Sequence, residues 1–144
     1  MTKNVLLIAT LLFSGVLTAQ KATDIVGIWW NEEKDGRVEV YQKGDKFYGK
    51  VEYVKKNVNP DGSKPKRDLK NPDPAKRKRV IQGCVILKGL KWTGDEWEGG
   101  EIYDTKSGNT YSCFARMNPN GTLYFKGYIG FSLIGRSTTW TRYK

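Results

Sequence analysis

After Asp24 the chain is punctuated by Gly, Asn and Asp roughly every 8 to 12 residues, and the intervals between are rich in Val, Ile, Tyr, Trp, Phe and Thr. No interval repeats apolar residues at the helical period, and several alternate apolar with polar. The chain therefore reads as short strands joined by turns, an all-β sandwich or barrel. The stretch from Gly121 to Lys144 narrows the choice. Its first run sets Leu123, Phe125 and Ile129 on one face against Thr122, Tyr124, Lys126 and Tyr128 on the other. Its second run puts Arg136, Thr138, Trp140 and Arg142 on one side and Ser137, Thr139, Thr141 and Tyr143 on the opposite one. We expect this last strand to close a barrel against the first, near Gly27-Ile28-Trp29.

The same reading gives eight strands. Strand one spans about Ile25 to Trp30, and strand two runs Arg37 to Gln42 with Val38 and Val40 inward. Strand three follows the tight turn Lys43-Gly44-Asp45-Lys46 and groups Phe47, Gly49, Val51 and Tyr53 on one face. Strand four, about Ile81 to Lys91, is apolar on both faces, so its orientation cannot be read. Strand five, Glu96 to Tyr103, groups Trp97, Gly99, Glu101 and Tyr103; strand six, Asn109 to Met117, groups Tyr111, Cys113, Ala115 and Met117. Asp104 to Gly108 and Asn118-Pro119-Asn120-Gly121 are turns. The predicted fold is a single eight-stranded antiparallel up-and-down β-barrel, whose interior is filled by side chains or holds one small ligand.

Residues 55–80 are the anomaly, with ten cations, three anions and four of the five prolines. A basic loop this long between strands three and four has the length of a lid, a binding loop or a disordered excursion. Its plain reading is a solvated, mobile surface. Its functional reading is attraction to an anionic membrane or cell-wall surface. Successive strands alternate in direction, so this loop gathers at one end of the barrel with residues 31–36, 104–108 and 130–134. Anything entering the barrel enters there. At the other end Trp29 is expected beside Arg142, a stacking pair that plugs the base.

Lys3, the apolar run Val5 to Phe13, and the small or polar residues ending at Ala19-Gln20 have the three-part layout of a secretory signal peptide, removed after Ala19. We expect residues 1–19 to be that segment and 20–144 to form one domain. The mature protein is then secreted, periplasmic in a Gram-negative bacterium, and a monomer. Export disfavours nucleic acid as a partner despite a pI of about 9.6. Cys84 and Cys113 fall on strands four and six with a strand between. That puts their Cα atoms about 10 Å apart against the roughly 5.5 Å of a disulfide, so free thiols are expected. Histidine is absent, which removes Ser-His and Cys-His catalysis and His-based metal sites. Glu96, Glu98, Glu101 and Asp104 offer carboxylates, but no nucleophile is set beside a base. We expect no enzyme and no cofactor.

Gly27-Ile28-Trp29 with the late Arg142 resembles the calycin superfamily of lipocalins, fatty-acid-binding proteins and avidins, in which a Gly-x-Trp on the first strand meets an arginine near the end of the barrel. Thr141-Arg142-Tyr143 is also similar to the fatty-acid-binding proteins' terminus. There, however, an Arg and a Tyr two residues apart both point inward to a carboxylate. Here the two residues are adjacent and face opposite ways, so that anchor does not carry over. A fuller resemblance is to the bacterial secreted family catalogued as domain of unknown function 2147. It is carried by Gly27-Ile28-Trp29, Asn71-Pro72-Asp73-Pro74, Gly99-Gly100-Glu101-Ile102-Tyr103-Asp104, Ser107-Gly108-Asn109-Thr110-Tyr111, Gly127-Tyr128-Ile129-Gly130 and Leu133 to Arg142. The resemblance implies export and a calycin-like barrel, and it names no reaction or ligand. The heavy lysine content between Lys55 and Arg79 departs from it.

Arg136 is the residue to single out. By alternation it faces inward near the open end, where a guanidinium needs an anion. Glu101, inward by the same parity, would make an internal pair; an acidic ligand headgroup is the other reading. Tyr53, Tyr103, Tyr111 and Phe131 either fill the barrel or line a ligand site. Two functions follow. One is a binding module that takes a small apolar or amphipathic molecule, anionic lipid-like ones included, through a mouth at Tyr53, Tyr103 and Phe131, with Arg136 opposing an acidic head. The alternative is an interaction protein with a filled barrel that works through its basic loop on an anionic envelope surface or a partner.

Overall fold

The computed structural model describes residues 19–130 and 135–144. The expected signal segment therefore lies outside the described residues up to position 18, as does Phe131. Eight strands form a closed antiparallel barrel in chain order: β1 Gly27–Trp30, β2 Gly36–Lys43, β3 Lys46–Val54, β4 Val85–Trp92, β5 Trp97–Asp104, β6 Asn109–Met117, β7 Leu123–Tyr128 and β8 Gly135–Arg142. The last strand zips to the first, with Trp29 opposite Arg142 and Trp30 opposite Thr141. The barrel is the one the alternation predicts, because period-two patterning fixes which face of each strand is buried.

The base is closed by large buried side chains. Trp29, Phe47, Leu87, Leu90, Trp97 and Leu123 are all fully buried. Ile25, expected at the start of β1, instead ends a 3₁₀ turn, Ala22–Ile25, that lies under the barrel. Two indoles hold this turn in place: Trp29 Nε1 donates to the Ile25 carbonyl at 2.9 Å and Trp97 Nε1 to the Ala22 carbonyl at 2.9 Å. Their rings are apolar bodies with one polar tip, and each tip finds a backbone acceptor in the interior. Gly100 is needed here for space, because a Cβ on it would lie 2.7 Å from Leu90 Cδ2.

Register shifts between β2 and β3, β3 and β4, and β5 and β6 break the simple alternation, and two of them set the open end. On β3 the register against β2 shifts so that Arg37 opposes Tyr53 while Val38 opposes Val51. On β5 it shifts between Trp97 and Gly100, where Gly99 adopts φ 71°. A bulge inserts one extra residue and moves everything beyond it to the other face. The consequences fall on the open end.

The connection 55–84 is built around a buried carboxylate. Asp68 is 1% exposed. Its Oδ1 accepts from the Tyr103 hydroxyl at 2.7 Å, and its Oδ2 accepts from Asn71 Nδ2 at 2.8 Å and from Arg79 Nε at 2.9 Å. Asn59 plays a similar part upstream: its amide donates to the Pro65 carbonyl at 2.9 Å and accepts from the Arg67 backbone N–H at 2.8 Å. Asp73 caps a 3₁₀ turn, Pro74–Lys76. The basic segment is thus a folded cover fastened to β5, in place of the mobile surface that its composition permits. Strand four also begins later than expected, at Val85, because Ile81 bonds back to the Lys66 carbonyl at 3.0 Å and Gly83 to the Val51 carbonyl at 2.7 Å.

Candidate functional site

The upper half of the barrel is hollow. A cavity of about 620 Å³ opens beside the cover, a size typical of small-molecule sites. Its wall is apolar, from Val38, Val51, Ile86, Ile102, Phe125 and Trp140 among others, with Tyr111 and Thr138 as polar members. Phe125 and Trp140 pack with ring centroids 4.2 Å apart above the base. Gly127 sits opposite Arg136 across β7 and β8. A Cβ there would meet Tyr111 Cβ at 3.4 Å, Tyr111 Cγ at 3.7 Å and Ile102 Cγ2 at 3.8 Å, ordinary contact distances, so the wall tolerates a side chain at this position.

The rim is charged and mostly cationic. Lys55, Lys56, Lys66, Lys106 and Arg136 border the opening, against Glu33, Asp35 and Asp104. Some of these are already matched. Lys106 Nζ lies 2.8 Å from Asp35, and Arg136 lies 3.5 Å from Glu33. Burial opposes ionisation of Asp35, yet hydrogen bonds from Asn31 and Lys106 outweigh it and hold the carboxyl below its usual range. Its hydrogen bond to the same carboxylate raises Lys106. Among the described residues Lys55, Lys56 and Lys66 have no carboxylate within 4.0 Å, which leaves one side of the mouth with uncompensated positive charge.

The residues singled out from sequence are placed as follows. Tyr111 faces inward and lines the cavity, as alternation predicts. Arg136 lies at the mouth on the face shared with Thr138 and Trp140, but its side chain is 84% exposed. It is therefore solvated, and the argument that burial forces an anion on it falls away. Glu101 requires correction: the bulge at Gly99 turns it to the outside, where it is exposed opposite Ser112 and Lys88. The expected internal pair with Arg136 does not form, and Ile102 takes the inward position in its place. The same bulge puts Tyr103 on the outer side, bonded to Asp68 with the Arg79 guanidinium 5.5 Å above its ring. The β3 bulge does likewise for Tyr53, whose ring packs edge-on to Trp30 and lies 4.3 Å under Arg37. Both tyrosines border the mouth from outside the wall. Phe131 lies outside the described residues.

Sequence reasoning missed Ile86, Ile102 and the rim lysines 55, 56 and 66 as the residues that border the cavity. The ambiguous strand four hid Ile86, and the unseen bulge hid Ile102. Cys84 and Cys113 are both free thiols. Glu96, considered for acid-base work, is held above the usual carboxylate range by its hydrogen bond with Glu98. This pair borders a shallow exterior groove with Phe114 and Arg116, away from the cavity.

The family description "Uncharacterized protein conserved in bacteria (DUF2147)" matches residues 27–142. No curated protein matches the chain. Among solved structures the chain is similar to one described as "Protein HP1028 from the human pathogen Helicobacter pylori belongs to the lipocalin family", with 31% identity, 83% of this chain and 82% of that chain covered, and a TM-score of 0.71. That likeness covers most of both chains and agrees with the closed up-and-down barrel. With the Gly-x-Trp strand closed against Arg142 and the matched span running from β1 to the end of β8, the chain belongs to the bacterial DUF2147 family and carries a lipocalin-like barrel.

Proposed function

We propose that this protein is an exported, non-enzymatic carrier of a small apolar or amphipathic molecule, whose apolar body lies among Ile86, Ile102, Phe125 and Trp140 and whose acidic head meets the cationic side of the rim. The observation that carries the reading is the cavity of about 620 Å³ above a base of fully buried side chains. A wall of this kind gains by covering itself with an apolar ligand, and a few polar groups at the opening fix orientation. Arg136 stays in the proposal as a headgroup contact that must first exchange Glu33, whereas Lys55, Lys56 and Lys66 have no such partner to give up. Export rests on the cation, apolar run and small residues of positions 3–19. A filled barrel, the alternative reading from sequence, is disfavoured by the hollow upper half.

The test uses Gly127→Leu, which adds bulk to the wall where a Cβ is tolerated. Native mass spectrometry of the purified protein, together with titration of a dansylated undecanoic acid, reports binding. The expected result is a retained adduct or saturable probe binding, weakened at least tenfold in the variant. Absence of both, or equal probe binding by the variant, would sink the proposal.

A further inference from the structure

The cover and the rim carry a feature that ligand binding does not use. Among the described residues four large apolar side chains are well exposed: Val26, Leu69, Ile129 and Tyr143. Val26 lies at the closed end, between the 3₁₀ turn and β1, and the Tyr143 ring is engaged with Trp30 and Arg37. Leu69 and Ile129 are at the open end and have no such explanation. Leu69 is 48% exposed and Ile129 71%.

Leu69 is held outward by its neighbours. Asp68 before it is locked by Tyr103, Asn71 and Arg79. Lys70 after it presses its backbone against Gly108, so closely that a Cβ on that glycine would meet the Lys70 carbonyl. With both flanks fixed, Leu69 cannot fold back to cover itself. Ile129 follows Tyr128, the last paired residue of β7, at the same end of the barrel.

The cover that carries Leu69 is rich in cations, and its own anions do not neutralise them. Asp68 is saturated internally, Asp61 accepts from the Ser63 N–H and hydroxyl, and Asp73 caps a turn. Lys55, Lys56, Lys64, Lys70, Lys76, Arg77 and Lys78 are all exposed. Among the described residues none of them has a carboxylate within 4.0 Å.

We propose that the open end docks on an anionic lipid bilayer, with Leu69 and Ile129 inserted among the headgroups and the cover's lysines lying on the charged surface. A lipid surface rewards both features together, electrostatic attraction at the plane and apolar contact beneath it. Nucleic acid or an anionic polymer would use the lysines and leave the apolar side chains in water. Docking in this orientation brings the cavity mouth to the bilayer, but the docking itself does not require the cavity to be occupied.

The experiment is vesicle co-sedimentation of the full mature chain on phosphatidylcholine vesicles with and without a third of phosphatidylglycerol. Double-stranded DNA serves as a polyanion without an apolar layer. The variants are Leu69→Ser with Ile129→Ser, and separately Lys55→Glu with Lys56→Glu, Lys76→Glu and Lys78→Glu, each checked by circular dichroism for an unchanged fold. Binding is expected to be at least tenfold tighter on the anionic vesicles, to fall at least tenfold in the charge-reversed variant, and to fall at least fivefold in the double serine variant. DNA affinity should not change in the serine variant. Equal binding to both vesicle types overturns the proposal, and so does undiminished vesicle binding by the serine variant, which would leave a purely electrostatic surface. Gly127→Leu should retain vesicle binding, so failure of the cavity reading and failure of this one are separable.

Discussion

The guanidinium carbon of Arg142 lies 4.1 Å from the centroid of the Trp29 ring, across the strand pair that closes the barrel. Arg142 also donates to two carbonyls below it, Val26 at 3.0 Å and Asp24 at 2.5 Å. One side chain from the last strand therefore fastens the first strand, its approach segment and the 3₁₀ turn before it. The two residues that meet are 113 positions apart in the sequence, which makes this a strongly non-local contact.

Replacing Arg142 by Ala removes a stacked cation and charge-assisted bonds to backbone acceptors, and about 2 kcal/mol of stability should be lost. Arg142→Lys should recover little of it, because an ammonium cannot stack flat and reach both carbonyls. Trp29→Ala should cost about 3–5 kcal/mol, as for other fully buried large aromatics. Urea unfolding followed by tryptophan fluorescence checks all three; a shifted midpoint at unchanged slope is the expected form.

The Tyr103–Asp68 bond makes a prediction in pH. Burial first, then the hydrogen bond and charge of Asp68, push the Tyr103 hydroxyl up to about 12. A raised pKa means that the folded state holds this proton more tightly than the unfolded state. The associated stability is whole below the ordinary tyrosine value of about 10 and is lost as pH rises through about 12. Ultraviolet titration of the eight tyrosines should therefore show one late-ionising group. That group should disappear in Tyr103→Phe and move down in Asp68→Asn.

The same bond fastens the basic cover, so its loss has a structural signature. Asp68→Asn presents an amide donor to donors and strands Arg79, whose side chain is 34% exposed. We expect about 3 kcal/mol of destabilisation, the low end for a broken buried pair because Arg79 keeps water access. Limited trypsin digestion should cut first within residues 55–84, ahead of any strand.

How much of this was legible in the residues depends on what fixes each face. Trp29 with Arg142, Phe125 with Trp140 and the inward set Tyr111, Cys113, Ala115 follow from alternation, because burial on one face enforces period two without interruption. Glu101, Tyr103 and Tyr53 went to the wrong face because parity carries no memory of an inserted residue. The signal for one bulge was present in Gly99-Gly100, a doublet inside a strand pattern. The β3 bulge at Glu52 has no comparable marker, since its cause is tertiary: Arg37 must reach Glu52 at 2.7 Å while stacking between Tyr53 and Tyr143. Composition likewise could not show that one aspartate among ten cations would be buried and organise the cover.

Gly99 gives a direct test of the bulge. At φ 71° it occupies the left-handed region with nothing within 4 Å of an added Cβ, so any penalty for Gly99→Ala comes from backbone conformation alone, about 1–2 kcal/mol. Gly100→Ala has the opposite cause, since its Cβ would sit 2.8 Å from Leu90 Cγ and 3.2 Å from Cys113 Sγ; overpacking of this kind costs about 1–3 kcal/mol. Pairing each with Leu90→Ala separates them by urea midpoints: the smaller partner should relieve much of the Gly100→Ala defect and leave the Gly99→Ala defect additive.

The two thiols report on different depths of the fold. Cys113 is fully buried beneath Gly100, and burial pushes its thiol up to about 12. Cys84 is half-buried just before β4, donates to the Val80 carbonyl at 2.9 Å, and is also raised, chiefly by burial. Thiolate is the reactive form, so at pH 8 both should react more slowly with an aromatic disulfide reagent than an open cysteine does. Cys84 should still label in the native protein, and Cys113 should label only at the rate at which the barrel opens. Denaturant should release both at once. A native protein in which Cys113 labels as fast as Cys84 would mean that the lower barrel is not the sealed base on which the cavity stands.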